Sequence, residues 1–177
     1  FYSVSESESL DHATYLSINT QAGNELSPKE YVAFQILEYV LLDAPGAPLK
    51  KALLDAGIGD DIMGGYEYGI LQPYFSVIAK NAEREQKDEF VKIVKAELKK
   101  LSDGGIDKKC LKAGINNYEF QYREADYGST PKGLMYGLQC LDSWLYGGDP
   151  MMHLEYEDTF AALKKGADSG YFEGLIR

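Results

Sequence analysis

Chemistry-bearing residues are scarce in this sequence. Of its 177 residues only two are histidine, two cysteine and one tryptophan, and no apolar run approaches the length of a membrane span. His12 and His153 stand far apart, and neither belongs to a His-Glu-x-x-His or His-x-x-Glu-His arrangement, so no zinc site can be read. Each lone histidine is most simply a surface or core residue, although folding can bring either beside a carboxylate. A Gly-x-Ser-x-Gly elbow, a phosphate-binding loop and a glycine-rich dinucleotide fingerprint are all missing, which leaves no catalytic and no metal-binding residues to nominate. Cys110 and Cys140 are too few for a disulfide scaffold and too far apart for a metal knuckle, so they read as free thiols. Basic residues are also in deficit: 18 Lys and Arg stand against 28 Asp and Glu, a formal charge of −10. Nucleic acid needs a basic footprint and is excluded as a partner, whereas basic peptides would be attracted.

What is present is a chain able to bury a substantial core, with 45% apolar and 12% aromatic residues. It opens on Phe1-Tyr2-Ser3, with no initiator methionine and no signal core, and so reads as part of a longer polypeptide. The alternation over Thr14–Thr20 predicts a strand. Ser27-Pro28-Lys29-Glu30 is a cap-then-proline entry to a helix whose Val32, Ile36, Leu37, Val40 and Leu41 share one face. A short helix over Pro48–Ala56 should end at Gly57. Alternation between Ile62 and Ala79, broken at Gln72-Pro73, predicts two antiparallel strands. Phe90, Val91, Val94, Leu98 and Leu101 then mark a helix ending at Asp103-Gly104-Gly105, and Leu111, Ile115, Tyr118 and Tyr122 mark the next, over Asp107–Glu124. After Thr130-Pro131, Leu134, Leu138, Leu141 and Leu145 form another helical stripe, and Gly133 and Gly137 would place a smooth face against a neighbouring helix. The crowded tyrosines Tyr118, Tyr122, Tyr127, Tyr136 and Tyr146 read as core rings with hydroxyls at the edge.

The expected fold is one α+β domain over 1–177: an antiparallel sheet covered by helices. Residues 1–105 supply strand, helix, helix, strand, strand and helix, and 106–177 a helical part. Gly64-Gly65 lies inside the first of the two paired strands. A glycine pair there marks either a bulge or tight bend, or an edge that another backbone approaches closely.

Two stretches carry a family resemblance. The run from Tyr122-Arg123-Glu124-Ala125-Asp126-Tyr127-Gly128-Ser129-Thr130-Pro131 through Leu141-Asp142-Ser143-Trp144-Leu145-Tyr146 to Asp149-Pro150 resembles the presequence-peptidase branch of the insulinase (pitrilysin) family of zinc metallopeptidases. Ala47-Pro48-Leu49-Lys50-Lys51-Ala52-Leu53-Leu54-Asp55-Ala56-Gly57 is similar to a segment of that family's second homologous domain. The resemblance implies a parent built from four related α+β domains around a closed chamber. Zinc is expected in the parent's first domain and no cofactor in this segment, which would form chamber wall without doing chemistry. In insulin-degrading relatives part of the second domain anchors a substrate's N-terminal stretch on a sheet edge. By position that exosite falls on Met63, Gly64, Gly65 and Tyr66, while Glu67-Tyr68-Gly69 has no clear counterpart. The expected partners are peptide substrates and the other domains of the same polypeptide, with no nucleic acid and no membrane. The expected location is the cytoplasm of a bacterium, or a mitochondrial matrix or other organelle in a eukaryote. The alternative function is a purely structural scaffold without substrate contact.

Overall fold

The computed structural model describes residues 7, 9 and 11–177. Strand β1 (Thr14–Gln21) precedes helix α1 (Pro28–Glu38), then come α2 (Pro48–Asp55), β2 (Asp61–Glu67), β3 (Tyr74–Ala82) and α3 (Lys87–Gly104). The helical remainder comprises α4 (Lys108–Glu124), α5 (Lys132–Trp144), α6 (Glu157–Gly166) and α7 (Tyr171–Leu175). This is the α+β arrangement expected from the hydrophobic periodicities.

The sheet has the order β1-β3-β2 and is antiparallel throughout, with Leu16 opposite Ala79 and Gly65 opposite Ser76. Alternation sorts its side chains: Leu16, Ile62, Tyr66, Val77 and Ala79 are buried against the helices, while Tyr15 and Met63 point outward and are exposed. Because β3 is central, β2 lies at one edge among the described strands.

Helix α1 is the axis of the core. The Ser27 hydroxyl accepts the Glu30 N–H at its start, and every residue from Tyr31 to Leu37 is buried between the sheet and helices α4 and α6. At Glu38 the helix widens into a five-residue π turn over Tyr39–Asp43, and the Ala44 N–H donates to the Tyr39 carbonyl at 2.7 Å. Phe90 from α3, Phe160 and Leu163 from α6 and Phe172 from α7 complete the core.

One expected helical face is not a core face. Leu134 and Leu138 of α5 and Leu145 just after it are about half to two-thirds exposed, and nothing lies within 4 Å of a Cβ built on Gly133 or Gly137. The leucine stripe is real, but no helix among the described residues packs over it. Helical spacing fixes which residues share a face and cannot say whether that face meets a neighbour.

Candidate functional site

The open side of β2 borders a cleft of about 920 Å³. Its walls are Gly64–Tyr68 from the strand and its following turn, Glu38 and Tyr31 from α1, Tyr118 and Tyr122 from α4, Met135–Asp142 positions of α5, and His153–Tyr156. Tyr118 and Tyr122 pack half-buried against the core, as expected of rings with hydroxyls at its edge, and line this cleft together with half-buried Tyr127 and exposed Tyr136. Edge-on contacts hold several of these rings: Tyr122 lies 5.4 Å from Phe160 and 5.5 Å from Tyr156, and Tyr127 lies 6.1 Å from Tyr136.

Three of the four candidate exosite residues line the cleft. Gly64, Gly65 and Tyr66 do so, whereas Met63 faces the opposite side of the sheet. The two glycines differ in why they are glycine. A Cβ on Gly64 would overlap the Ser76 carbonyl oxygen of β3 and come within 2.7 Å of Leu42 Cδ1, so the β2–β3 pairing itself demands glycine there. On Gly65 a Cβ would meet only Glu38 Oε1, at an ordinary 3.6 Å.

The direction of the open edge is fixed by one hydrogen bond. The Tyr66 N–H donates to Glu38 Oε2 at 3.0 Å and therefore points away from β3. In an antiparallel pair this outward direction recurs at every second residue, which sends the Ile62 and Gly64 amides the same way. The Ile62 N–H is taken by Asp61 Oδ1 at 2.8 Å. Burial holds the Glu38 carboxyl above the ordinary carboxylate range, with Asp43 and Glu67 adding to the effect and the Tyr66 N–H opposing it.

Beneath this edge lies a buried polar cluster that the sequence did not announce. Glu25, just ahead of α1, is fully buried; its Oε1 accepts the Gly69 N–H at 3.0 Å, and its Oε2 has no hydrogen-bond partner among the described residues. Burial pushes its pKa to about 8, and the nearby Asp142 carboxylate pushes in the same direction against the Gly69 N–H. His153 stacks on Tyr31 with 3.9 Å between ring centres, and its Nε2 stands 3.8 Å from Glu25 Oε1. That gap is too long for a hydrogen bond, neither ring nitrogen has a partner among the described residues, and burial holds the imidazole below its usual pKa. Burial thus disfavours the charged form of both partners. The Tyr31 hydroxyl donates to Asp142 Oδ2 at 2.9 Å, and the Tyr146 hydroxyl donates to the Gly69 carbonyl at 3.2 Å. Gly69, in the β2–β3 connection, is thereby stitched to the segment before α1 and to the end of α5.

The described residues bring no three His, Cys, Asp or Glu side chains into metal-binding range, and exposed His12 pairs with Glu83 at 3.1 Å, away from His153.

Residues 3–118 match the family model described as the peptidase M16 inactive domain, over well more than half of the chain. The chain belongs to the M16 peptidase inactive-domain family. Its sequence is 47% identical over 175 residues to Protein HypA of Clostridium perfringens, a match covering 99% of this chain and 18% of that protein. It is 34% identical over 134 residues to presequence protease 1 of Arabidopsis thaliana, covering 75% of this chain and 12% of that protein. This M16 chain thus spans less than a fifth of the length of these curated relatives. Among solved structures, it superposes on the inactive peptidase domain of a protein from Bordetella parapertussis described as a zinc protease. The TM-score is 0.72 at 13% identity, and the match covers 92% of this chain and 86% of that one. Pitrilysin aligns at TM-score 0.57 and 16% identity over 91% of this chain and 18% of its own. At these identities the structural matches speak for the fold alone. No helix among the described residues is long and apolar enough to cross a membrane.

The matched region contains the β2 edge and Glu38, and it ends within α4. The cleft wall formed by α5 and His153–Tyr156 lies beyond it. Sequence reading missed Glu25, Glu38 and Asp142 because each stands alone among ordinary polar residues. Their significance arises from burial and from partners 44, 28 and 111 residues away in the chain.

Proposed function

We propose that this chain is the second, non-catalytic domain of a zinc metalloendopeptidase that degrades unfolded or presequence-like peptides, with zinc held by the parent's first domain. Its own role is to form chamber wall and to anchor substrate along the β2 edge at Gly64–Tyr66. The carrying observation is that β2 is an edge strand whose open side faces a tyrosine-lined cleft of about 920 Å³. An extended peptide adds to such an edge through main-chain hydrogen bonds, which read shape rather than sequence and suit a broad range of unfolded substrates. The names of the curated relatives, which include a presequence protease, support the substrate class.

The test uses the full-length polypeptide. Gly65→Val is the informative variant because Gly65 has room for a side chain and Gly64 does not. Its added methyls stand at the cleft mouth and should raise KM for several extended peptides with little change in kcat. Unchanged KM for all of them would overturn the anchoring role. The scaffold reading is favoured by a separate observation, the exposed apolar residues Leu134 and Trp144 of α5 and Leu145 just after it. It predicts instead that polar substitutions at Trp144 and Leu145 weaken the packing of the full-length polypeptide while Gly65→Val has no effect on cleavage.

A further inference from the structure

The β2 edge is not vacant. Glu38 Oε2 takes the Tyr66 N–H at 3.0 Å, the position that the carbonyl of an added strand would occupy. An arriving peptide that pairs there has to displace the carboxylate, which then lies half-buried in a cleft where no cation among the described residues pairs with it. The acids Asp43 and Glu67 are close enough to disfavour its charge. Arg123, the one arginine among the described residues of the cleft wall, is held by Glu119 at 2.9 Å, and Glu119 also takes Lys164. No lysine, arginine or histidine pairs with Glu38 among the described residues.

A half-buried carboxylate deprived of its hydrogen bond is unfavourable unless a positive group arrives with the guest. His153, whose ring nitrogens are buried and have no partner among the described residues, also lines this cleft. Tyr31, Tyr68, Tyr118 and Tyr122 line it too, and aromatic rings favour a planar cation. A guanidinium, with parallel donors in one plane, pairs with a displaced carboxylate better than a compact ammonium does.

We infer that Glu38 is the specificity-determining residue of this edge: it caps the strand when no peptide is bound and, once displaced, pairs with an arginine side chain of the bound peptide. The inference rests on the anchoring role proposed above and adds a side-chain preference to it. Neutral peptides bear the loss of the Glu38–Tyr66 contact uncompensated, whereas a peptide with arginine at the matching position restores a charge-assisted contact.

The experiment measures fluorescence anisotropy of the full-length polypeptide with labelled extended peptides in which a single arginine is moved along a neutral, glutamine-containing sequence. One arginine position is expected to bind roughly fivefold to tenfold more tightly than the all-glutamine peptide. Glu38→Gln, which keeps an acceptor for the Tyr66 N–H, should abolish that ratio. Glu38→Ala, which frees the N–H, should tighten binding of the neutral peptide. An arginine preference that persists in Glu38→Gln, or no preferred position at all, overturns the inference. If Gly65→Val weakens every peptide while the preference ignores Glu38, anchoring stands and the Glu38 role falls. If Gly65→Val changes no affinity, the anchoring role falls with it.

Discussion

Replacing Glu25 with glutamine should stabilise this fold in a pH-dependent way. The Glu25 carboxyl is fully buried, and its pKa rises from 4.5 to about 8 on folding. Below about pH 4.5 both folded and unfolded chains keep the proton, and the residue's favourable contribution is fully present. As pH rises from 4.5 toward 8, the unfolded chain releases the proton while the folded chain retains it, so stability falls across that window. At about 1.36 kcal/mol per pH unit the span of roughly 3.5 units sets an upper bound of about 4–5 kcal/mol. Relaxation of the site lowers the expected figure to roughly 2–4 kcal/mol. Glutamine keeps an oxygen for the Gly69 N–H and carries no charge at any pH. Urea unfolding at pH 5, 6.5 and 8.5 should therefore show Glu25→Gln near the parent at pH 5 and more stable by about 2–4 kcal/mol at pH 8.5. The depressed His153 pKa acts in the opposite sense: its contribution is present above 6.5 and is lost as pH falls. That slope is common to both proteins and largely cancels in the difference. A Glu25→Gln variant that is less stable than the parent throughout pH 6–8 would refute the reasoning, because it would mean that Glu25 and His153 form an ion pair across their 3.8 Å gap.

Three further outcomes follow from packing. Gly64→Ala should destabilise by about 2 kcal/mol or more in thermal unfolding, because its Cβ overlaps the Ser76 carbonyl, while Gly65→Ala stays within about 1 kcal/mol of the parent; equal effects would contradict the assigned geometry. Leu145→Ser, at a residue 67% exposed, should move the stability of this chain by no more than about 0.5 kcal/mol, and a loss of 2 kcal/mol would show the α5 stripe to be core after all. Phe160→Ala, at a fully buried ring against Tyr122 and Tyr156, should cost about 3–5 kcal/mol by chemical denaturation, and a loss under 1 kcal/mol would deny it that role.

The sequence by itself determined the order of elements and the α+β class, because strand and helix periodicity, the Ser27-Pro28 entry and the glycine stops are local signals carried by adjacent residues. It also carried the family, through motifs that run along the chain. Tertiary structure alone decided which faces are buried. The leucines of α5 obey the same 3.6-residue period as those of α1, yet they line a surface because no described element covers them, while Tyr118 and Tyr122 of α4 pack on the core and border the cleft. Gly64-Gly65 could be recognised as a special pair in the chain, but only the register with Ser76 separates the glycine that pairing requires from the one that leaves room beside Glu38. The Glu25–His153 cluster and the Glu38 cap were invisible for the same reason. A carboxylate's pKa and its role depend on what surrounds it in space, and those surroundings come from distant parts of the chain brought together by the core.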